Sequence, residues 1–149
     1  MGNDDAGQHF WVNTISREHV LLGVEGGFTQ ADHGKPTRLA KLAAGDGILF
    51  YSPRTAMRAG EALQEFTAWG LLTADPIYQV EMSPDFRPWR RRVDFREAAA
   101  VPIRPMLGEL SFIAGAPSWG MVFRRGLFEI PETDFELITG RMTPAGAAD

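Results

Sequence analysis

The hydrophobic pattern has a centre. Ile48-Leu49-Phe50-Tyr51 is an unbroken apolar run, fed by the turn Gly45-Asp46-Gly47 and followed by Ser52-Pro53. Four consecutive apolar or aromatic residues between turn residues predict a strand buried on both faces. Proline lacks an N–H and fixes φ, so the strand is expected to stop at Pro53. Around this centre the chain alternates. Residues 9–14, 63–73, 78–82, 89–95, 121–124 and 126–130 carry strand patterns, with Gly70 read as a bulge in the longest of them. Ser16 reads as a helix N-cap ahead of Val20, Leu21, Leu22 and Val24, and Gly26-Gly27 ends that helix. A short helix over 37–43 turns Leu39 and Leu42 inward, and Pro131 opens a last one with Phe135, Leu137 and Ile138 inward. About six strands with three short flanking helices predict the α+β class: a mixed, mostly antiparallel β-barrel whose ends the helices plug. Residues 1–8 read as a disordered leader and 141–149 as a flexible tail, which leaves 9–140 as a single domain.

Composition narrows the chemistry. The chain has no cysteine, so disulfides and thiolate metal sites are excluded. The three histidines, His9, His19 and His33, show no paired ligand spacing, so neither metal nor cofactor is expected. No apolar run is long enough for a membrane-spanning helix, and the acidic start is no signal peptide; a cytoplasmic protein without membrane contact is expected. A net charge of −4 argues against coating nucleic acid by bulk charge. It leaves room for a local basic patch. Between 87 and 104 there are six arginines against Asp94 and Glu97, and Arg124-Arg125 add two more. Such a run is either a solvated strand face or a phosphate-binding patch. Trp89 and Trp119 lie in or beside Pro/Gly-bounded loops near these arginines, where an aromatic ring serves either the core or a stacked base. His33, in the polar loop 28–36, is the one histidine with a candidate role, as a loop group or a solvated side chain.

Five segments in order carry a resemblance. Trp11-Val12-Asn13-Thr14, Gly26-Gly27-Phe28-Thr29-Gln30-Ala31-Asp32-His33-Gly34-Lys35, Gly45 through Arg54, Trp89-Arg90-Arg91-Arg92-Val93-Asp94-Phe95 and Phe123 through Ile130 resemble bacterial EVE-domain proteins from about residue 9 to 140. The resemblance implies a PUA-like β-barrel related to YTH domains, and a module that recognises a modified nucleobase in DNA or RNA. It implies that Asn13 sits at the pocket edge, that Gln30, His33 and Lys35 form a loop over it, and that Tyr51, Ser52 and Pro53 line its wall. Trp89 becomes a candidate stacking ring and Arg124 with Arg125 a candidate backbone contact, beside the ligand-binding candidates Trp119 and Arg91 that the aromatic and arginine patterns themselves put forward. One departure stands out: the better-known branch follows its first strand with a Thr-Glu-Pro-like element, where this chain has Asn13-Thr14-Ile15.

Three functions follow. The first is a non-catalytic module that stacks and hydrogen-bonds a splayed, modified base. The second is a small enzyme acting on a nucleotide-like anion, with His33 as acid or base. The third is a protein-interaction module.

Overall fold

The computed structural model describes residues 7–144, so the expected leader and tail lie mostly outside the described residues. Strands β1 (Phe10–Thr14), β2 (Phe28–Thr29), β3 (Gly47–Arg54), β4 (Ala62–Leu72), β5 (Tyr78–Gln79), β6 (Trp89–Phe95), β7 (Val101–Pro102) and β8 (Leu127–Ile130) form one curled mixed sheet. Its main path runs β2-β6-β4-β3-β1-β8, with β5 on β6 and β7 on β4. Helix α1 (Arg17–Gly26) follows β1, and helix α2 (Glu132–Met142) closes the chain. Among the described residues only β1 and β3 pair in parallel, with Trp11 opposite Ile48 and Asn13 opposite Phe50. The expected class, a mixed barrel of about six principal strands with short flanking helices, is the one observed.

Strand β3 is buried from Gly47 to Ser52. Successive side chains on a strand point to opposite faces, so this run feeds two separate cores. Leu49 and Tyr51 join Val12, Phe66, Phe123, Phe128 and α2's Phe135 and Ile138 in one layer. Ile48 and Phe50 join Val20 of α1, Leu39, Leu42, Ala68 and Val93 in the other. The curl is held shut by side chains. The buried Asn13 amide, on β1, donates to Thr29 Oγ1 at 3.0 Å and to the Gln30 carbonyl at 2.9 Å. These groups belong to the opposite end of the sheet path, so the two bonds stitch β1 to β2 where no backbone ladder does.

Several local expectations change. Strand β3 does not stop at Pro53: a register shift between Ser52 and Arg54 accommodates it, and pairing with β1 has already ended at Tyr51, so the missing N–H falls on an unpaired edge. Gly70 is no bulge. It pairs regularly with Ile48 and Phe95, and a Cβ there would stand 2.5 Å from the Asp94 carbonyl oxygen, so glycine permits the close approach of β6. The irregularity falls instead at Thr67, skipped between Ala68 opposite Phe50 and Phe66 opposite Tyr51. Residues 121–124 are not a strand but part of the 3₁₀ segment Trp119–Arg125. The Thr14 N–H donates to the Gly126 carbonyl at 2.8 Å, the last bond β1 offers on that edge, so nothing remains for 121–124 to pair with. Of 78–82 only Tyr78 and Gln79 pair, and 37–43 supplies a single 3₁₀ turn, Leu39–Lys41. Helix α2 runs through Met142, which is fully buried, two residues into the span expected as tail.

Candidate functional site

At the carboxyl ends of β1 and β3, on the Phe50 side of the sheet, lies a cavity of about 630 Å³. Its floor is set by strand phase. Asn13 and Phe50, cross-strand partners, face it, while their neighbours Val12 and Tyr51 face the other core. The remaining wall comes from the start of α1, the loop after β2, Pro53 and Arg54 at the end of β3, the residues before and on β6, and Arg124 to Gly126.

The wall is apolar inside and cationic at the edge. Four phenylalanines line it, Phe28, Phe50, Phe86 and Phe95, and the rings of Phe50 and Phe95 lie 5.5 Å apart. The Arg90 guanidinium sits 3.8 Å from the Phe28 ring centroid, and its Nε donates to Gln30 Oε1 at 2.8 Å. Arg54, Arg124 and Arg125 are exposed at the wall. The only carboxylate among the lining residues, Asp32, is paired with Arg38 at 3.1 Å. A chain with net negative charge thus sets four arginines, Arg54, Arg90, Arg124 and Arg125, around this opening, and a low-dielectric wall focuses their field. Two hydroxyls in the wall, Thr14 Oγ1 and Ser16 Oγ, are buried and have no partner among the described residues. Buried polar groups are normally satisfied, so these two are exceptions, held behind the surface of the wall.

The lip is a strained turn. Asp32 and His33 have φ of 52° and 56°, followed by Gly34 at 88°. Left-handed backbone costs an L-residue roughly 1–2 kcal/mol, and it persists where surroundings enforce it. Arg38 does the enforcing: besides Asp32, its guanidinium donates to the Arg125 carbonyl at 2.7 Å and to the Leu127 carbonyl, tying the lip to the start of β8.

The structure brings Asn13, Gln30, His33, Pro53, Arg124 and Arg125 together around this cavity. Lys35 is exposed and stands outside its wall. Tyr51 and Trp119 face a second, smaller pocket on the other side of Thr14, Pro53 and Arg124. The Tyr51 ring stacks on Phe123 at 4.0 Å, and burial pushes its phenol up to about 12, a nearby Arg104 acting weakly in the opposite sense. Ser52 is fully buried and its hydroxyl is committed, donating to the Ile15 carbonyl at 2.7 Å and meeting Thr67 Oγ1 at 2.8 Å. Trp89 packs against the cluster of Ile48 and Phe50 and does not line the cavity. Arg91 is buried, and its guanidinium donates to the carbonyls of Leu39, Leu42 and Thr73. Burial lowers its pKa and Asp46 opposes that shift. It is a brace between β6 and the Leu39–Lys41 turn, turned away from solvent.

Sequence reasoning missed Phe28, Phe50, Phe86, Phe95 and Arg38, and held Arg90 only as one of the six arginines of a candidate phosphate-binding patch. One signal for Phe28 was present. It follows two glycines, and a Cβ on Gly26 would stand 2.5 Å from its ring, while Gly27 takes the left-handed φ of 72° that ends α1. An aromatic residue for which the preceding chain has been cleared marks a placed ring. Among the described residues there is no group of three or more His, Asp or Glu that would hold a metal ion, and no helix is long and apolar enough to cross a membrane.

Comparison with known proteins agrees with this architecture. A UPF0310 protein of Mycolicibacterium vanbaalenii is 54% identical over 132 residues, 89% of this chain and 91% of its own. The UPF0310 protein YdcG of Bacillus subtilis is 38% identical over 134 residues, 90% of this chain and 92% of its own. The YTH domain of the Zygosaccharomyces rouxii MRB1 protein, solved in complex with N6-methyladenosine RNA, aligns with a TM-score of 0.62 at 17% identity, over 89% of this chain and 84% of that one. An RNA complex of the YTH domain-containing protein mmi1 aligns with a TM-score of 0.56 at 10% identity, over 88% and 81%. Those two likenesses are of fold. The EVE domain family matches residues 9–141, which spans every strand and all but the last residue of α2, and the chain belongs to that family.

Proposed function

We propose that this EVE domain is a non-catalytic module that takes one splayed nucleobase, a modified one, out of DNA or RNA into the 630 Å³ cavity. The observation that carries the reading is the combination at one opening of four phenylalanine rings and four arginines, Arg54, Arg90, Arg124 and Arg125. A base has two apolar faces and a polar edge, carried on an anionic strand. The rings supply stacking, worth ~1–3 kcal/mol per base. Gln30, whose Oε1 is held by Arg90, supplies edge contact from its side-chain amide nitrogen. The exposed arginines supply phosphate contacts. The cavity volume falls within the ~300–1,000 Å³ usual for small-ligand sites. Fold neighbours bound to RNA, one of them to N6-methyladenosine RNA, favour this reading.

The test is fluorescence anisotropy with single-stranded RNA and DNA 9-mers carrying one N6-methyladenine or one unmodified adenine. The marked strand is expected to bind more tightly, by the ~1–3 kcal/mol that one buried methyl-sized group contributes. Affinity is expected to fall with salt, the slope shrinking by about 0.7 for each phosphate contact removed by Arg124→Ala or Arg125→Ala. Binding that is absent at low salt for every strand, or indifferent to both arginine variants, overturns the reading.

A further inference from the structure

The second pocket has no role in the account above. It measures about 390 Å³ and lies across a thin divide from the first cavity: Thr14, Pro53 and Arg124 line both. Its own residues are Tyr51, Gln64, Trp119, Gly120 and Phe123. Trp119 is half-buried, in edge contact with Phe123 at 6.3 Å, and has the Arg104 guanidinium 5.6 Å from its ring centroid. Arg104 is itself positioned, donating from Nε to Gln64 Oε1 at 2.8 Å. Gln64 holds a left-handed φ of 59°, with its carbonyl taken by the Ile103 N–H at 3.0 Å. A non-glycine residue is thus kept in an unfavourable conformation at the wall of a small aromatic pocket, and strain of that kind collects at ligand sites. The unpartnered Thr14 hydroxyl belongs to the divide, and exposed Arg124 stands over both sides.

We propose that this pocket receives the base adjacent to the one held in the first cavity, on the same strand, with Trp119 as its stacking surface and Arg124 on the phosphate that links the two. This rests on the nucleobase reading of the first cavity. Two pockets of base-accommodating size, sharing one wall with a cation above it, match the repeat of a single strand: base, phosphate, base. The aromatic ring gives stacking that tolerates any base, and Arg104, over the Trp119 ring and outside the pocket's lining, helps hold that ring in place. The module would then read a mark in one pocket and hold its neighbour in the other without discriminating strongly among neighbours.

The experiment is calorimetric titration of the full chain with N6-methyladenosine and with a trinucleotide carrying that base in the centre. For the unaltered protein the trinucleotide is expected to bind more tightly than the nucleoside. Trp119→Ala is expected to remove about 5- to 150-fold of trinucleotide affinity, the factor one base stack is worth, and to leave nucleoside affinity unchanged. A second variant avoids the packing of Trp119 altogether. A side chain on Gly120 meets nothing within 4 Å of its Cβ, so Gly120→Leu occupies the pocket mouth without disturbing the core, and it is expected to act like Trp119→Ala. If both variants keep the trinucleotide-to-nucleoside ratio of the parent, the second pocket is no subsite and the first cavity stands alone. If neither ligand binds the parent protein, the nucleobase reading falls and this inference falls with it.

Discussion

The two layers that β3 separates are built on opposite terms. On the Tyr51 side, rings pack on one another, and only the strand's end borders the smaller pocket: Tyr51 on Phe123 at 4.0 Å, Phe66 edge-on to Tyr51 at 5.4 Å, Phe10 against Phe135 at 4.8 Å. On the Phe50 side the same strand faces a cavity, two orphan hydroxyls and a strained turn that Arg38 pins in place. Adjacent residues of one strand therefore serve different ends. Leu49 and Tyr51 pack into one core while Ile48 and Phe50 pack into the other, and of the buried run only Phe50 reaches the larger cavity, so a two-residue period decides which core each side chain serves.

The largest expected effect tests the dense layer. Phe66 is fully buried, and Phe66→Ala removes a ring that the surroundings cannot replace. It is expected to cost ~3–5 kcal/mol of unfolding free energy, measured by urea denaturation. Affinity of the folded fraction for the nucleoside held in the larger cavity should not change. A matching loss of affinity would mean that the two layers are not separable.

Next comes Asn13, which belongs to both ends of the comparison. Its amide closes the curl through Thr29 and Gln30, and its side chain borders the cavity. Asn13→Ala leaves a buried hydroxyl and a carbonyl short of a donor, a loss of ~1–3 kcal/mol by the usual worth of such bonds. Both the denaturation midpoint and oligonucleotide affinity are expected to fall. Lost stability with intact affinity would confine Asn13 to the clasp.

This division also explains what was legible in the sequence. The existence of β3 and its burial on both faces were readable, because a short apolar run between glycine and proline has few other solutions. Its phase was not. A strand buried on both faces is apolar at every position, so nothing marks Phe50 rather than Tyr51 or Ser52 as the residue bordering the opening. The arginines were ambiguous for a related reason. Arg90 and Arg91 are neighbours with identical side chains, yet one lines the cavity and the other is spent on carbonyls 18 to 52 residues away in sequence. Only tertiary contact separates them. The 121–124 segment had a strand pattern but met no free strand edge, and pairing partners are not written into local alternation. Asn13, Gln30, His33, Arg124 and Arg125 were readable as a set because the resemblance supplied what spacing alone does not.

A smaller effect sharpens the contrast in strain. His33 sits at φ 56°, where glycine is at ease and histidine is not. His33→Gly relieves roughly 1–2 kcal/mol of backbone cost and forfeits part of that through the freer unfolded chain. A net gain of about 0.5–1 kcal/mol is expected, read as a melting temperature raised by about 2–4 °C. Affinity is expected to fall, since the imidazole borders the cavity. A stabilised variant that binds as well as the parent would reduce His33 to scaffold.

The smallest effect lies at the end of the sheet away from the cavity, just before β1. His9 Nδ1 meets Glu129 Oε2 at 2.5 Å, and that hydrogen bond, then the carboxylate charge, raises the imidazole pKa above its ordinary value. A group that holds its proton more firmly when folded stabilises the fold below its unfolded pKa. That contribution fades as pH rises through the higher folded pKa. The window therefore lies on the acid side of the imidazole titration and closes on its alkaline side. Both side chains are about half exposed, so salt screens the pair and its contribution is slight. Melting curves of the parent and Glu129→Gln are expected to separate near the acid end of that window and merge at its alkaline end, with the His9 NMR titration midpoint lowered in the variant. Ligand affinity should be indifferent to the substitution. A shift in affinity would show that the far end of β1 reports to the opening, and that the sheet transmits what its two-residue period otherwise keeps apart.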